Sequence, residues 1–359
     1  EIADFINALL PLLPMEAFLY WDKSYALKEH YRLKTRFGFS GKEIDTQVSV
    51  LNDFLDQGLD KIENGLKKAL DSKTGIYFSY FINQVQEYSQ PNEHSIIPEK
   101  FIQKPLVLFL EGQMHALRLA ADKKQAKLLH QATKKSALFD KKLKMYKVCA
   151  ALKSMPEEIG RCRVFTPGWL ENESIFLHME YKYLLELLKN NLVEEFYAEF
   201  RNALIPFQKP ERYGRSILEN SSFLASSAFH DKKLQGNGFV ARLSGSTAEF
   251  LQIWLTMNLG NKPFSYNNVS GLELTFKPLL EAALFDRKGN YAFNFLSRVR
   301  VTYHNPKKKD TYGKNAAKIT KIILTEKNKT KEFGSSTVPF PYAEKVRSRQ
   351  VEKIDIYLE

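Results

Sequence analysis

The sequence predicts a mostly α-helical chain that ends in an all-β domain. Apolar residues recur with helical spacing from the start of the chain to about residue 205, and again over 247–259. After Gly260 the spacing changes to the period of two that is typical of strands. We therefore expect an α-helical toroid or bundle over 1–264 and an antiparallel, β-sandwich-like domain over 265–359.

The helical part is expected to contain antiparallel helices joined by loops of unequal length. Gly38 and Gly41 should end an early helix, and Asn190-Asn191 should interrupt the last long one. Apolar residues spaced three and four apart keep one face of each helix buried. The predicted helices cover 16–37, 44–70, 105–122, 126–136 and 175–205.

Residues 206–247 form a long segment rich in Gly and Ser. Loops of this length in a compact domain are usually functional or disordered, and we expect this one to be ordered because it keeps several large apolar residues. Ser246 or Thr247 should then cap a helix that Gly260 ends. The strands that follow are predicted at 272–276, 291–295, 299–303, 319–324 and 354–358.

Composition excludes several classes of protein. With 44% apolar and 26% charged residues the chain is globular rather than disordered. No apolar run approaches the roughly 20 residues of a membrane span, and two cysteines are too few for a disulfide framework, so we expect a cytoplasmic protein with no membrane partner. The net charge of +12 is accompanied by no recognised nucleic-acid motif, so nucleic acid is not an expected partner.

The first candidate site segment covers residues 165–178. Asn172 or Ser174 can cap a helix after the turn at Pro167-Gly168. If that helix begins early enough, Glu171 and His178 share a face, where they can bind sugar hydroxyls or hold an anion. The alternative is that Glu171 satisfies backbone donors at the helix start and His178 is a hydrogen-bonded core residue.

Two further segments carry candidate binding groups. Arg215, Glu219 and the neighbouring Asn220 offer hydrogen-bonding groups that suit a polyhydroxylated ligand, although a turn-rich surface loop would have the same composition. Residues 236–249 run through small residues into a helix start, which leaves backbone N–H groups available for phosphate, and Arg242 can add a fork of donors. No Gly-Lys-Ser/Thr follows, so nucleotide hydrolysis is not expected.

The three segments carry four motifs in order. They are Pro-Gly-x-x-Glu-Asn-x-x-Ile-Phe-x-His over 167–178, Tyr-Gly-Arg over 213–215 followed by a Glu, Gly-x-Gly-Phe over 236–239, and Ser-Gly-Ser-Thr-Ala over 244–248. In order and approximate spacing this set resembles the C-terminal part of glycoside hydrolase family 94. That family contains cellobiose and chitobiose phosphorylases and the phosphorylase-like module of cyclic β-1,2-glucan synthases. The resemblance is clearest over residues 165–264.

The resemblance implies an (α/α)6 barrel with a capping β domain. It also implies inverting phosphorolysis of a β-linked glucooligosaccharide, with inorganic phosphate as co-substrate and no other cofactor. By position, His178 and Thr247 correspond to phosphate-contacting residues of the family, and Glu171 to a glutamate that contacts sugar. To these we add Arg242 for phosphate, and Asn172, Arg215 and Glu219 for sugar.

The chain departs from the family in three places. Glu173-Ser174 replaces Gly-Gly, which puts a carboxylate near the anion site, and Ala241-Arg242 replaces Ser-Trp. The family's general acid, an aspartate in an Asp-Trp-Asn-Asp type motif, would fall at or before residue 1, and Asp22 is a weak candidate for it. We therefore expect a longer polypeptide whose upstream domains supply the acid. The alternatives are a non-catalytic carbohydrate-binding module of a larger glucan synthase and a glycoside hydrolase.

Overall fold

The chain forms two compact units, Glu1–Gly112 and Gln113–Glu359. The computed structural model describes residues 1–240, 244–327 and 329–359. The predicted change from helix to strand at 264/265 lies inside the second unit.

The first unit contains helices followed by a long β-hairpin. Glu16 begins the second helix, because its carboxylate accepts hydrogen bonds from the backbone N–H groups two and three residues later. The helical pattern expected for the first 205 residues does not extend over 81–105, where two strands pair across a turn in which Asn92 Oδ1 accepts from His94 N–H. The elements are α1 (Ile2–Leu9), α2 (Ala17–Lys34), α3 (Val48–Ala69), β1 (Leu70–Asp71), β2 (Ile76–Tyr77), β3 (Phe81–Asn92) and β4 (Ser95–Pro105).

Helices dominate the next part of the chain, where short strands alternate with them. The predicted interruption at Asn190-Asn191 is confirmed, since α7 and α8 are separate helices and Asn191 has φ of +58°. The elements are α4 (Leu110–Arg118), α5 (Lys123–Lys135), β5 (Phe139–Asp140), β6 (Met145–Tyr146), α6 (Arg161–Val164), β7 (Ile175–Phe176), α7 (Leu177–Lys189), α8 (Val193–Ala203), α9 (Pro210–Tyr213), β8 (Phe223–Leu224), β9 (Gly238–Phe239) and α10 (Ser244–Leu259).

The five strands predicted after Gly260 are confirmed. They belong to a three-stranded sheet of order β10-β11-β16 and a five-stranded sheet of order β12-β13-β17-β14-β15. The elements are β10 (Phe264–Asn267), β11 (Gly271–Thr275), β12 (Asn290–Phe295), β13 (Val299–His304), β14 (Ile319–Glu326), β15 (Lys329–Phe333), β16 (Thr337–Val338), α11 (Tyr342–Arg347) and β17 (Lys353–Leu358).

This C-terminal part differs from the expected antiparallel, all-β domain because it contains a parallel pair of strands and the helix α11. The central strands β13 and β17 are parallel, with Val301 opposite Ile354 and Tyr303 opposite Ile356. A parallel pair requires a long connection, and here the intervening chain supplies β14 to β16 and the helix α11. The inward-facing side chains of both central strands are buried, which places the core of this part beneath them.

Candidate functional site

A small sheet of β7, β8 and β9 brings the three candidate segments together. Phe176 pairs with Phe223, and Phe223 pairs with Phe239, so one residue from each segment lies in the same cross-strand row. The order β7-β8-β9 joins residues that are up to 63 positions apart in the chain. The proximity of the three segments is therefore a consequence of strand pairing.

The aromatic side chains of this row stack on one another. The ring centroids of Phe176 and Phe223 are 4.7 Å apart, those of Phe223 and Phe239 are 5.6 Å apart, and Trp169 stacks on Phe239 at 3.5 Å. Phe223 and Phe239 are buried, and Phe229 packs against the same cluster. These rings therefore stabilise the sheet, and they are not an exposed platform for a sugar ring.

His178 lies in the first turn of α7, against the first turn of α10. A Cβ atom added to Gly245 would lie 2.8 Å from His178 Nδ1, so only glycine leaves room for the imidazole. His178 Nε2 is also 3.7 Å from Glu249 Oε1. Burial lowers the pKa of His178 and the nearby Lys182 lowers it further, whereas Glu249 opposes both effects. The site thus favours a neutral imidazole.

Asn220 links the second segment to the start of α10. Its Nδ2 donates to Ser246 Oγ at 3.1 Å and to Thr247 Oγ1 at 3.2 Å. The buried Ser246 hydroxyl in turn donates to Ser221 O at 3.3 Å. The helix begins at Ser244, so Ser246 and Thr247 lie in its first turn instead of capping it. The predicted end at Gly260 is confirmed, with φ of +91°.

Tyr213 fixes the loop that carries Asn220. Its hydroxyl donates to Glu219 O at 2.6 Å and accepts from Ser221 N–H at 3.0 Å. A Cβ at Gly238 would lie 2.3 Å from the Tyr213 ring, so β9 passes directly over this side chain. Tyr213 was not among the predicted site residues, although the Tyr-Gly-Arg motif contains it, whereas Asn220 was named among the candidate binding groups.

The prediction that Glu171 and His178 share a helical face is wrong. The strand β7 occupies Ile175–Phe176, so α7 begins only at Leu177 and Glu171 lies in the turn before it. The Glu171 carboxylate lies 3.7 Å from Arg161 Nη2, and both side chains are exposed. Glu171 therefore has a solvent-facing carboxylate and does not share a helical face with His178.

Asn172 and Ser174 shape this turn instead of capping a helix. Asn172 is buried, and its Nδ2 donates to Phe165 O at 2.7 Å. The Ser174 hydroxyl donates to Leu170 O. Glu173, the extra carboxylate, is 2.8 Å from Lys147 Nζ and both side chains are almost buried, so the lysine neutralises it.

The remaining predicted residues are placed as follows. Arg215 Nε donates to Glu219 Oε2 at 3.0 Å, and both side chains of this pair are partly exposed. Arg242 lies outside the described residues. Asp22 is exposed on α2 in the first unit.

The described parts of the chain contain neither a cluster of metal ligands nor a membrane-spanning helix. None of their His, Cys, Asp and Glu side chains cluster in groups of three or more that could hold a metal ion. None of their helices combines the length and the apolar character needed to cross a membrane.

No protein-family model matches the chain, and no curated protein matches it.

Proposed function

We propose that this chain is the phosphate- and sugar-binding portion of a glycoside phosphorylase-like enzyme that cleaves a β-linked glucooligosaccharide by inverting phosphorolysis. The observation that carries the proposal is the contact between His178 and Gly245, which sets an imidazole beside the first turn of α10. Asn220 holds the Thr247 hydroxyl at the same helix end. The motifs that resemble glycoside hydrolase family 94 supply His178, Gly245 and Thr247.

The start of α10 has the chemistry that a phosphate requires. The first turn of a helix has backbone N–H groups without intrahelical partners, and the helix dipole favours an anion there. The 16-residue helix α10 adds the hydroxyl of Thr247, and the neutral His178 can donate one ring N–H. In phosphorolysis, phosphate attacks the anomeric carbon, so a single carboxylic acid is needed to protonate the leaving oxygen.

The proposal includes an (α/α)6 toroid completed by upstream domains of a longer polypeptide, which also supply the general acid. The apolar face of α3 supports the proposal that further helices complete a toroid. Leu55, Leu59 and Ile62 follow one face of the helix and are between 57% and 60% exposed. A helix with such a face normally packs against other helices, as each helix of a toroid does.

Phosphate binding to this chain tests the anion site directly. We expect Thr247→Val to weaken binding of inorganic phosphate about tenfold in isothermal titration calorimetry, because a hydrogen bond to a charged group is lost. Thr320→Val is the matched control, since Thr320 is exposed on β14, away from the three segments. Equal phosphate affinity in all three proteins would contradict the proposed anion site.

Activity tests the reaction itself. A longer polypeptide that includes the upstream residues should release glucose 1-phosphate from sophoro- or cello-oligosaccharides only when phosphate is present. Cleavage that proceeds equally well without phosphate would assign the enzyme to the hydrolases.

A second candidate, a non-catalytic carbohydrate-binding module, is favoured by Glu249. Its carboxylate, 3.7 Å from His178 Nε2, competes with an anion for the imidazole. Oligosaccharide binding that Glu171→Ala weakens but that phosphate and Thr247→Val leave unchanged would support this candidate over phosphorolysis.

A further inference from the structure

The first unit contains a cleft that none of the four motifs reaches. It has a volume of about 880 Å³ and lies between α2 and α3. Clefts of roughly 300–1,000 Å³ are the usual size of ligand sites. Side chains from Tyr20, Trp21, Gln57, Asp60, Lys61 and Asn64 line it.

One wall of the cleft is aromatic. Trp21 packs edge-on against Phe101, with ring centroids 5.7 Å apart and planes at 83°. Phe101 is buried, whereas Trp21 keeps 38% of its surface exposed. Phe101 therefore supports one side of the indole, and the exposed surface of the indole faces the cleft. Such a surface packs against the apolar face of a sugar ring.

The opposite wall presents polar groups from α3. Gln57, Asp60 and Asn64 are three and four residues apart, so they lie on one face of the helix. Among the described residues, these side chains have no hydrogen-bond or ion-pair partner. The cleft is therefore lined by polar side chains of α3, while the apolar face of the same helix, which contains Leu55, Leu59 and Ile62, is exposed.

The two cations of the cleft are already engaged by the protein. Lys61 Nζ donates to Leu13 O at 3.0 Å and lies 3.5 Å from the centre of the Tyr20 ring. Lys68 donates to the side-chain oxygen of Gln103. The groups left for a ligand are two amides and one carboxylate. These groups offer both donors and acceptors, which sugar hydroxyls can match because each hydroxyl can donate and accept.

We propose that the cleft between α2 and α3 binds a neutral oligosaccharide. The sugar ring packs on Trp21, and its hydroxyls bond to Gln57, Asp60 and Asn64. The proposal is independent of the phosphate site, because it depends on residues of the first unit alone.

The test measures oligosaccharide binding to the whole 359-residue chain by isothermal titration calorimetry, with cellohexaose, laminarihexaose and sophoro-oligosaccharides as probes. We expect Trp21→Ala to weaken binding of at least one probe about tenfold, as truncation of a central aromatic contact usually does. Tyr88→Ala is the matched control, since Tyr88 is an exposed aromatic residue on β3, outside the cleft. Thr247→Val should leave this binding unchanged.

A second variant separates binding from folding. The double substitution Asp60→Ala and Asn64→Ala alters exposed positions of α3, so the chain should melt at the temperature of the wild type. It should still weaken saccharide binding about tenfold through lost hydrogen bonds. The proposal is overturned if no probe binds, if both cleft variants bind as tightly as the wild type, or if inorganic phosphate displaces the saccharide from the cleft.

Discussion

Gly168 occupies a position at which any side chain should damage the candidate site. Its φ is +83°, a conformation that costs a residue with a Cβ about 1–2 kcal/mol. An added Cβ would also lie 2.3 Å from Phe229 N and 2.8 Å from Phe229 Cα. Backbone atoms cannot rotate away as a side chain can. The resulting displacement costs a further amount of about 1–3 kcal/mol, which is typical of overpacking.

We therefore expect Gly168→Ala to lower the free energy of unfolding by about 2–5 kcal/mol. For a domain of this size, each kcal/mol lowers the melting temperature by about 2–4 °C, so the variant should melt about 4–20 °C below the wild type. The displacement of Gly168 should also disturb the neighbouring turn, because Gly168 N–H donates to Asn172 O and Gly168 O accepts from Ser226 N–H.

Gly313→Ala is the matched control for this measurement. Gly313 has φ of +81°, and no atom would lie within 4 Å of an added Cβ. Only the conformational cost of about 1–2 kcal/mol should therefore appear. Urea unfolding followed by circular dichroism gives both free energies. If the two variants are equally stable, the contact with Phe229 has no energetic consequence and the packing argument fails.

Two further predictions concern charged and titratable groups. Burial, with a smaller effect of Lys134, lowers the pKa of His130 to about 4, so the folded protein should lose about 3 kcal/mol of stability as the pH falls from 6.5 toward 4, while stability is full above 6.5. Urea unfolding across this range should show a flatter profile for His130→Asn, and an unchanged slope would exclude His130 as the cause. Glu173→Gln should destabilise by about 2 kcal/mol because Lys147 is left without its partner in an almost buried position. The double variant with Lys147→Met should recover most of that loss in thermal unfolding, and strictly additive losses would show that the two charges do not interact.

Local signals in the sequence were sufficient for much of the fold. The break at Asn190-Asn191, the helix end at Gly260 and the alternating strands after it are all present. Each depends on residues within a few positions of one another, such as a left-handed residue after a helix or a period of two.

Long-range pairing explains what the sequence did not reveal. The hairpin of β3 and β4 was missed because its strands are stabilised by each other more than by their own residues. The start of α7 was placed too early because β7 pairs with β8, which lies nearly 50 residues further along the chain. That pairing separates Glu171 from the helical face of His178.

The features of the candidate site can also be separated into those that the sequence determines and those that only the tertiary structure decides. The sequence by itself determined which residue types are present: an imidazole, hydroxyls near a helix start, and glycines in the same segments. Only the tertiary structure decided that His178 lies against Gly245, that Asn220 reaches Thr247 and that Lys147 neutralises Glu173. Contacts between distant residues depend on backbone pairing and packing in three dimensions, and no local pattern of residue types encodes them.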